Sequence, residues 1–112
     1  MMLSPAPSIA GHRAIRSLGL VYGNTIRARH VGRDLLAFVK NVVGGEIEEY
    51  TKLMAEAREQ AIDRMVAQAA ARGANAVVNV RFTTSYIMGS ASEILAYGEA
   101  VVVASEETPT TT

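Results

Sequence analysis

Apolar residues at Ile47, Tyr50, Met54, Ala57, Ala61, Met65 and Ala69 recur in steps of three and four, which holds them in one stripe on a helix. The pattern predicts one long helix from Glu46 to Arg72 with a single buried face. Gly44 and Gly45 break the preceding segment, Gly45 is an acceptable N-cap, and Glu48 at N3 supplies half of a capping box. Glu46, Glu48 and Glu49 sit on the positive end of the macrodipole, Arg72 sits on the negative end, and Gly73 offers the left-handed residue that stops a helix. At about 1.5 Å per residue the rod is roughly 40 Å long. Glu48, Lys52 and Glu56 can pair along the solvent side, but such pairs contribute only a few tenths of a kcal/mol, so burial must hold the helix.

The pattern elsewhere is mostly that of strands. Arg13 to Tyr22 is compatible with a strand that places Leu18, Leu20 and Tyr22 on one face, and Thr25 to Val31 alternates in the same way. Between them Gly23-Asn24 fits either a two-residue hairpin turn or a bulge within one long strand. Arg33 to Val43 carries Leu35, Leu36, Val39, Val42 and Val43 at helical spacing and predicts a short helix. Ala76 to Thr84 predicts a strand with Val78, Val80 and Phe82 on one side and Asn79, Arg81 and Thr83 on the other. Ser85 to Ser92 is expected to be a connection carrying Ile87 and Met88. Glu93 to Ala104 predicts the last strand, with Leu95, Tyr97, Glu99, Val101 and Val103 on one face. Residues 1–8, with two prolines, and the polar residues 105–112 are expected to be flexible.

This is an α+β pattern: a small antiparallel sheet packed against one long helix, with one short helix besides. At 112 residues the chain makes one domain, 1–112, with little core to spare. A long helix with a broad apolar stripe and only a few strands to cover it predicts that a neighbouring subunit shelters the remainder.

Charge changes that picture in one respect. The chain is neutral overall, yet residues 1–45 hold six Lys or Arg against one acid and residues 46–112 hold five against ten. Opposed halves can pair the helix with its own sheet or join subunits head to tail. Overall balance and few aromatics disfavour a nucleic-acid surface. The absence of cysteine excludes disulfides, thiolate catalysis and thiolate metal sites. No apolar run approaches the ~18 residues of a membrane span, and the start, MMLSPAPSIAGHR, lacks the charged and apolar regions of a secretory signal. A cytoplasmic protein is expected.

Several residues are candidates for chemistry. Projected at 100° per residue, Arg58 falls close to the middle of the apolar stripe, where a guanidinium must snorkel out, bond a neighbouring carbonyl, or meet a carboxylate or ligand. Glu99 falls among apolar strand neighbours and calls for a partner, with Arg58 or Arg81 within the expected fold. Arg27 and Arg29 share a strand face about 7 Å apart, a spacing that can grip a carboxylate or phosphate or merely decorate an edge strand. Gly44-Gly45 before a helix N-terminus could hold an anion, although Glu46, Glu48 and Glu49 make one less welcome there. Phosphate loops, HExxH and GxSxG are absent, so the reading is of a protein that is not an enzyme. An alternative is an enzyme site assembled between subunits from Arg58, Glu99 and Arg27 or Arg29.

The order VGG, a long helix containing AREQA, then RGANAVVNVRF, together with Gly19, Gly23 and Arg33-Asp34, resembles the YbjQ-like family over roughly Ile9 to Val103. That family is of unknown function and carries a heavy-metal-binding label. The resemblance implies a subunit similar to dodecin, assembled into a homo-oligomeric ring, typically a pentamer, with a small molecule or metal ion as possible ligand. The metal label would fall here on His12 and His30, eighteen positions apart, with acids from neighbouring subunits, because zinc-like sites need three or four N, S or O ligands.

Overall fold

A computed structural model describes residues 1–28, 46–88 and 91–106. Its elements are β1 (Met2–Leu3), β2 (His12–Ala28), α1 (Glu46–Ala71), β3 (Ala76–Met88) and β4 (Ala91–Ser105). The four strands form one sheet in the order β1-β3-β4-β2, parallel between β1 and β3 and antiparallel elsewhere. The sheet is therefore mixed, not wholly antiparallel as the sequence pattern suggested. The short helix expected over Arg33 to Val43 lies outside the described residues.

Helix α1 ends as its sequence dictates. Gly73 takes φ 88°, and the amides of Gly73 and Ala74 donate to the carbonyls of Ala70 and Ala69 at 3.0 and 3.1 Å, a Schellman closure. Ala57, Ala61, Met65 and Ala69 have no exposed surface; they pack with Val21, Val77, Ile94, Ala96 and Ala100 on one face of the sheet. The C-terminal half of the stripe is thus satisfied inside one copy. The surplus of apolar helical surface expected from the sequence is not found there.

β2 is one continuous strand, so Gly23-Asn24 is not a hairpin turn. Its register with β4 does shift, but between Ala14 and Arg16 and between Ser17 and Gly19, with Gly19 at φ 90°. Gly23 has a different purpose. A Cβ built on it would lie 2.3 Å from the Ala61 carbonyl oxygen and 2.3 Å from the Met65 amide nitrogen. The glycine is what lets the helix backbone approach the strand so closely.

β3 carries a bulge that the alternation count missed. Val78 pairs with Glu99 and Arg81 with Tyr97, so Asn79 and Val80 together oppose Gly98, and Asn79 takes φ 54°. Val78 consequently faces the N-terminal segment while Val80 packs on the helix side, rather than both lying on one face. The bulge also turns the amides of Asn79 and Val80 outward to the carbonyls of Ala6 and Ser4, at 2.9 and 3.0 Å. With Met2 donating to Asn75 at 3.1 Å and Ser4 to Val77 at 3.0 Å, the expected loose leader is tied to the sheet, where Met2 and Ile9 cover Ala76, Val78, Val101 and Val103. Most of the expected connection from Ser85 to Ser92 is strand instead, since β3 runs to Met88 and β4 begins at Ala91.

Candidate functional site

The sheet has two unlike faces. On β4, Ile94, Ala96 and Ala100 point to the helix and are buried, whereas Glu93, Leu95, Tyr97 and Glu99 point the other way and are partly buried. Leu20, Tyr22 and Ile26 of β2 share that outer face and are 65%, 51% and 55% exposed. Leu20 is in register with Glu99, Tyr22 with Tyr97 and Asn24 with Leu95, so the two strands present one continuous surface. Leu20, Tyr22, Asn24, Glu93, Leu95 and Tyr97 line an open groove of about 400 Å³ on it. Asn24 Nδ2 donates to Glu93 Oε2 at 3.0 Å and fixes the carboxylate at one end of the groove.

Glu99 finds a partner, but not an arginine. Ser17 Oγ donates to Glu99 Oε2 at 2.5 Å, across the strand pair where β2 bulges. Arg81 donates instead to the carbonyls of Pro5 and Val80, at 2.7 and 3.0 Å, and so helps to hold the leader. Arg58 is exposed. Buried positions 57, 61, 65 and 69 follow an i, i+4 row, which is inclined to the helix axis, so the covered face drifts along the rod. At its own level Arg58 lies about 100° from the buried Ala57, although averaged over the whole helix it projects mid-stripe. The expected ion pair of Arg58 or Arg81 with Glu99 does not form within one copy. Arg27 is the penultimate residue of β2, in register with Ser92; its supposed companion Arg29 lies outside the described residues.

His12 opens β2, and its Nδ1–H donates to the Ala10 carbonyl at 2.9 Å. It shares a cavity of about 100 Å³ beneath the leader with Glu99, Ser8 and Ile9 among others. His30 is outside the described residues. Two potential donors, one of them already bonded to Ser17, fall short of the three or four that a heavy metal or zinc requires, and no group of three or more His, Asp or Glu able to hold an ion occurs among the described residues. The described part of one chain does not fit a metal.

A third constellation escaped the sequence reading. β2 is an edge strand, and three residues one helical row apart close its outer backbone: Arg64 donates to the Asn24 carbonyl at 2.6 Å, Gln68 Oε1 accepts the Tyr22 amide at 2.7 Å, and Arg72 donates to the carbonyls of Leu20 and Leu18 at 2.7 and 3.2 Å. The match is metric, because four helical residues rise about 6 Å and two strand residues about 6.6 Å. The row occupies the backbone groups to which another strand would otherwise add. Its signal was present as polar residues at 64, 68 and 72, each next to or continuing the buried row, where one would expect only solvated charge.

Among the described residues these features define a small α+β fold, a four-stranded mixed sheet clamped along one edge by a long helix, with an apolar sheet face left open. The chain belongs to the YbjQ family, whose model, described as "Putative heavy-metal-binding", matches residues 1–104. A UPF0145 protein of Dehalococcoides mccartyi is 56% identical over 103 residues, 92% of this chain and 99% of the relative. Another, from Halorubrum lacusprofundi, is 57% identical over 101 residues, covering 90% and 97% of the two chains. A protein of unknown function of the DUF74 family from Pediococcus pentosaceus has the same fold, with a TM-score of 0.65 over 93% of this chain and 98% of that one at 10% identity. Among the described residues no helix is long and apolar enough to cross a membrane.

Proposed function

We propose that the protein is a non-catalytic subunit of a homo-oligomeric ring, with five copies as the expected number, and that it binds a small molecule or ion where its open sheet face meets a neighbouring copy. The observation that carries the reading is the run of Leu20, Tyr22 and Ile26, each more than half exposed and all on one face. A contiguous apolar patch on a folded surface marks a partner or ligand site. A neighbour laid over this face would turn the open groove into an enclosed pocket. The opposed charges of the two chain halves support head-to-tail association, which closes into a ring when the rotation between copies permits.

Light scattering after size exclusion tests the reading directly. The expected mass is a small multiple of 11.9 kDa, and a monomer at micromolar concentration would refute it. The family's metal label supports a second reading in which His12 and Glu99, which line one cavity, are joined by donors from another copy. Metal analysis of untagged protein, followed by calorimetry with zinc, copper and nickel, decides that one. It fails if the bound metal is negligible or is unaffected by His12→Ala.

A further inference from the structure

The groove on the open face says more about its occupant than that it is apolar. Its volume of about 400 Å³ lies within the range of roughly 300–1,000 Å³ typical of small-molecule sites. Its floor holds Tyr22 and Tyr97, which oppose each other in register, with Leu20 and Leu95 beside them. Cross-strand neighbours have Cβ atoms about 5 Å apart, so the two phenol rings and flanking leucines offer an area that a flat molecule can cover. Aromatic faces carry partial negative charge and attract cations.

Glu93 is the charged residue of the lining. Asn24 occupies one lone pair of its Oε2, and a carboxylate has about four acceptor positions, so it can still receive a donor or face a positive charge. Glu99 continues the same face of β4 beyond Tyr97 and is held by Ser17. Among the described residues no arginine or lysine lines the groove, and the nearest ones are hydrogen-bonded to main-chain carbonyls. Arg81, in register with Tyr97, donates to Pro5 and Val80, and Arg64 and Arg72 donate to the outer backbone of β2. An anionic ligand would meet Glu93 with no cationic side chain among the described lining residues.

We infer that the groove formed by Tyr22, Tyr97, Leu20, Leu95 and Glu93 is a binding site for a planar organic cation, whose ring system stacks on the tyrosines and whose positive charge faces Glu93. The inference rests on the proposed ligand-binding reading and names the ligand class. Two dyes of similar size and opposite charge test it on the full-length protein: thioflavin T, a flat benzothiazolium cation, and the anionic naphthalene dye ANS, each followed by fluorescence titration with the assembly mass measured in parallel.

Thioflavin T is expected to saturate at one dye per chain and to bind about fivefold more weakly to Glu93→Gln, the scale of a partly exposed charge pair. Tyr97→Leu should weaken it as well, with the assembly mass unchanged in both variants. Tighter or equal binding of ANS, an unchanged affinity in Glu93→Gln, or no saturable thioflavin T binding would each overturn the assignment. A monomeric wild-type protein would overturn the ring reading instead, and the same titration would still decide the groove.

Discussion

The two faces of the sheet are built from different residues. The face under α1 has small residues at its closest contacts, with Ala57, Ala61 and Ala69 on the helix and Gly23, Ala96 and Ala100 on the strands, all buried beside Met65, Val21, Val77 and Ile94. The outer face is made of large ones, Leu20, Tyr22 and Ile26 on β2 and Leu95 and Tyr97 on β4, all partly or mostly exposed. Small residues at the contact let the helix and strand backbones come together, and Met65, Val21, Val77 and Ile94 fill the space around them. Large residues on the opposite side need something equally large to cover them. The C-terminal half of the apolar stripe is covered within the chain while large apolar residues of β2 are exposed on the sheet, so the proposed neighbouring copy is to be sought on that sheet face.

The contrast is most easily broken at Gly23. Its missing side chain is the space in which the helix backbone lies, and any Cβ would meet main-chain atoms of residues 61 and 65 that cannot rotate away. Gly23→Val should cost more than about 3 kcal/mol, above the usual range for overpacking because backbone rather than side chain must move. Chemical denaturation followed by circular dichroism measures the loss. A variant as stable as wild type would show that the close approach of helix and strand is not what holds this face together.

Met65 is the largest fully buried side chain of that interface. Met65→Ala is expected to cost about 2–4 kcal/mol, the removed transfer energy plus the cavity left behind. A cost below about 1 kcal/mol would mean that the helix settles further onto the strand. The outer face should respond in the opposite way. Leu20→Ser with Ile26→Ser should leave the folded subunit intact, while association loses about 1.5–3 kcal/mol for each side chain withdrawn from a covered interface. Light scattering across a dilution series reads the shift, and a dissociation midpoint equal to that of wild type would show that this face is not between subunits.

How much of this was legible in the sequence follows from what each signal depends on. Helix α1 and its closure at Gly73 were readable because a three-to-four-residue repeat sustained over 26 residues and a left-handed glycine are local facts. The bulge at Asn79-Val80 was not, since it exists to aim two amides at Ser4 and Ala6, more than seventy residues away. Gly23 is legible as a glycine that makes a turn or a bulge within one strand but not as one that admits a helix, because the three look alike in one dimension. Glu99 was rightly expected to need a partner. Its nearest donor, Ser17, is eighty-two residues distant and sits on a bulged stretch where simple alternation fails. Arg58 shows the complementary error, an average over many turns applied to one level of a face that drifts.

The smallest expected effect tests how complete the helix-covered face is. Thr25 of β2 is 3% exposed and pairs with Ile94, and its Oγ1 has no hydrogen-bond partner among the described residues. A buried hydroxyl that bonds nothing costs about 1–3 kcal/mol of desolvation, whereas valine has the same branched outline, the same χ1 restriction and no polar atom to bury. Thr25→Val should therefore stabilise the subunit by about 1 kcal/mol, a rise of about 4 °C in Tm for a domain near 100 residues. Thr25→Ala provides the control, because it removes the hydroxyl but leaves a methyl-sized gap, and it should be less stable than the valine variant. If valine destabilises while alanine does no worse, the hydroxyl is bonded in solution, and the helix-covered face has a polar specificity contact at Thr25.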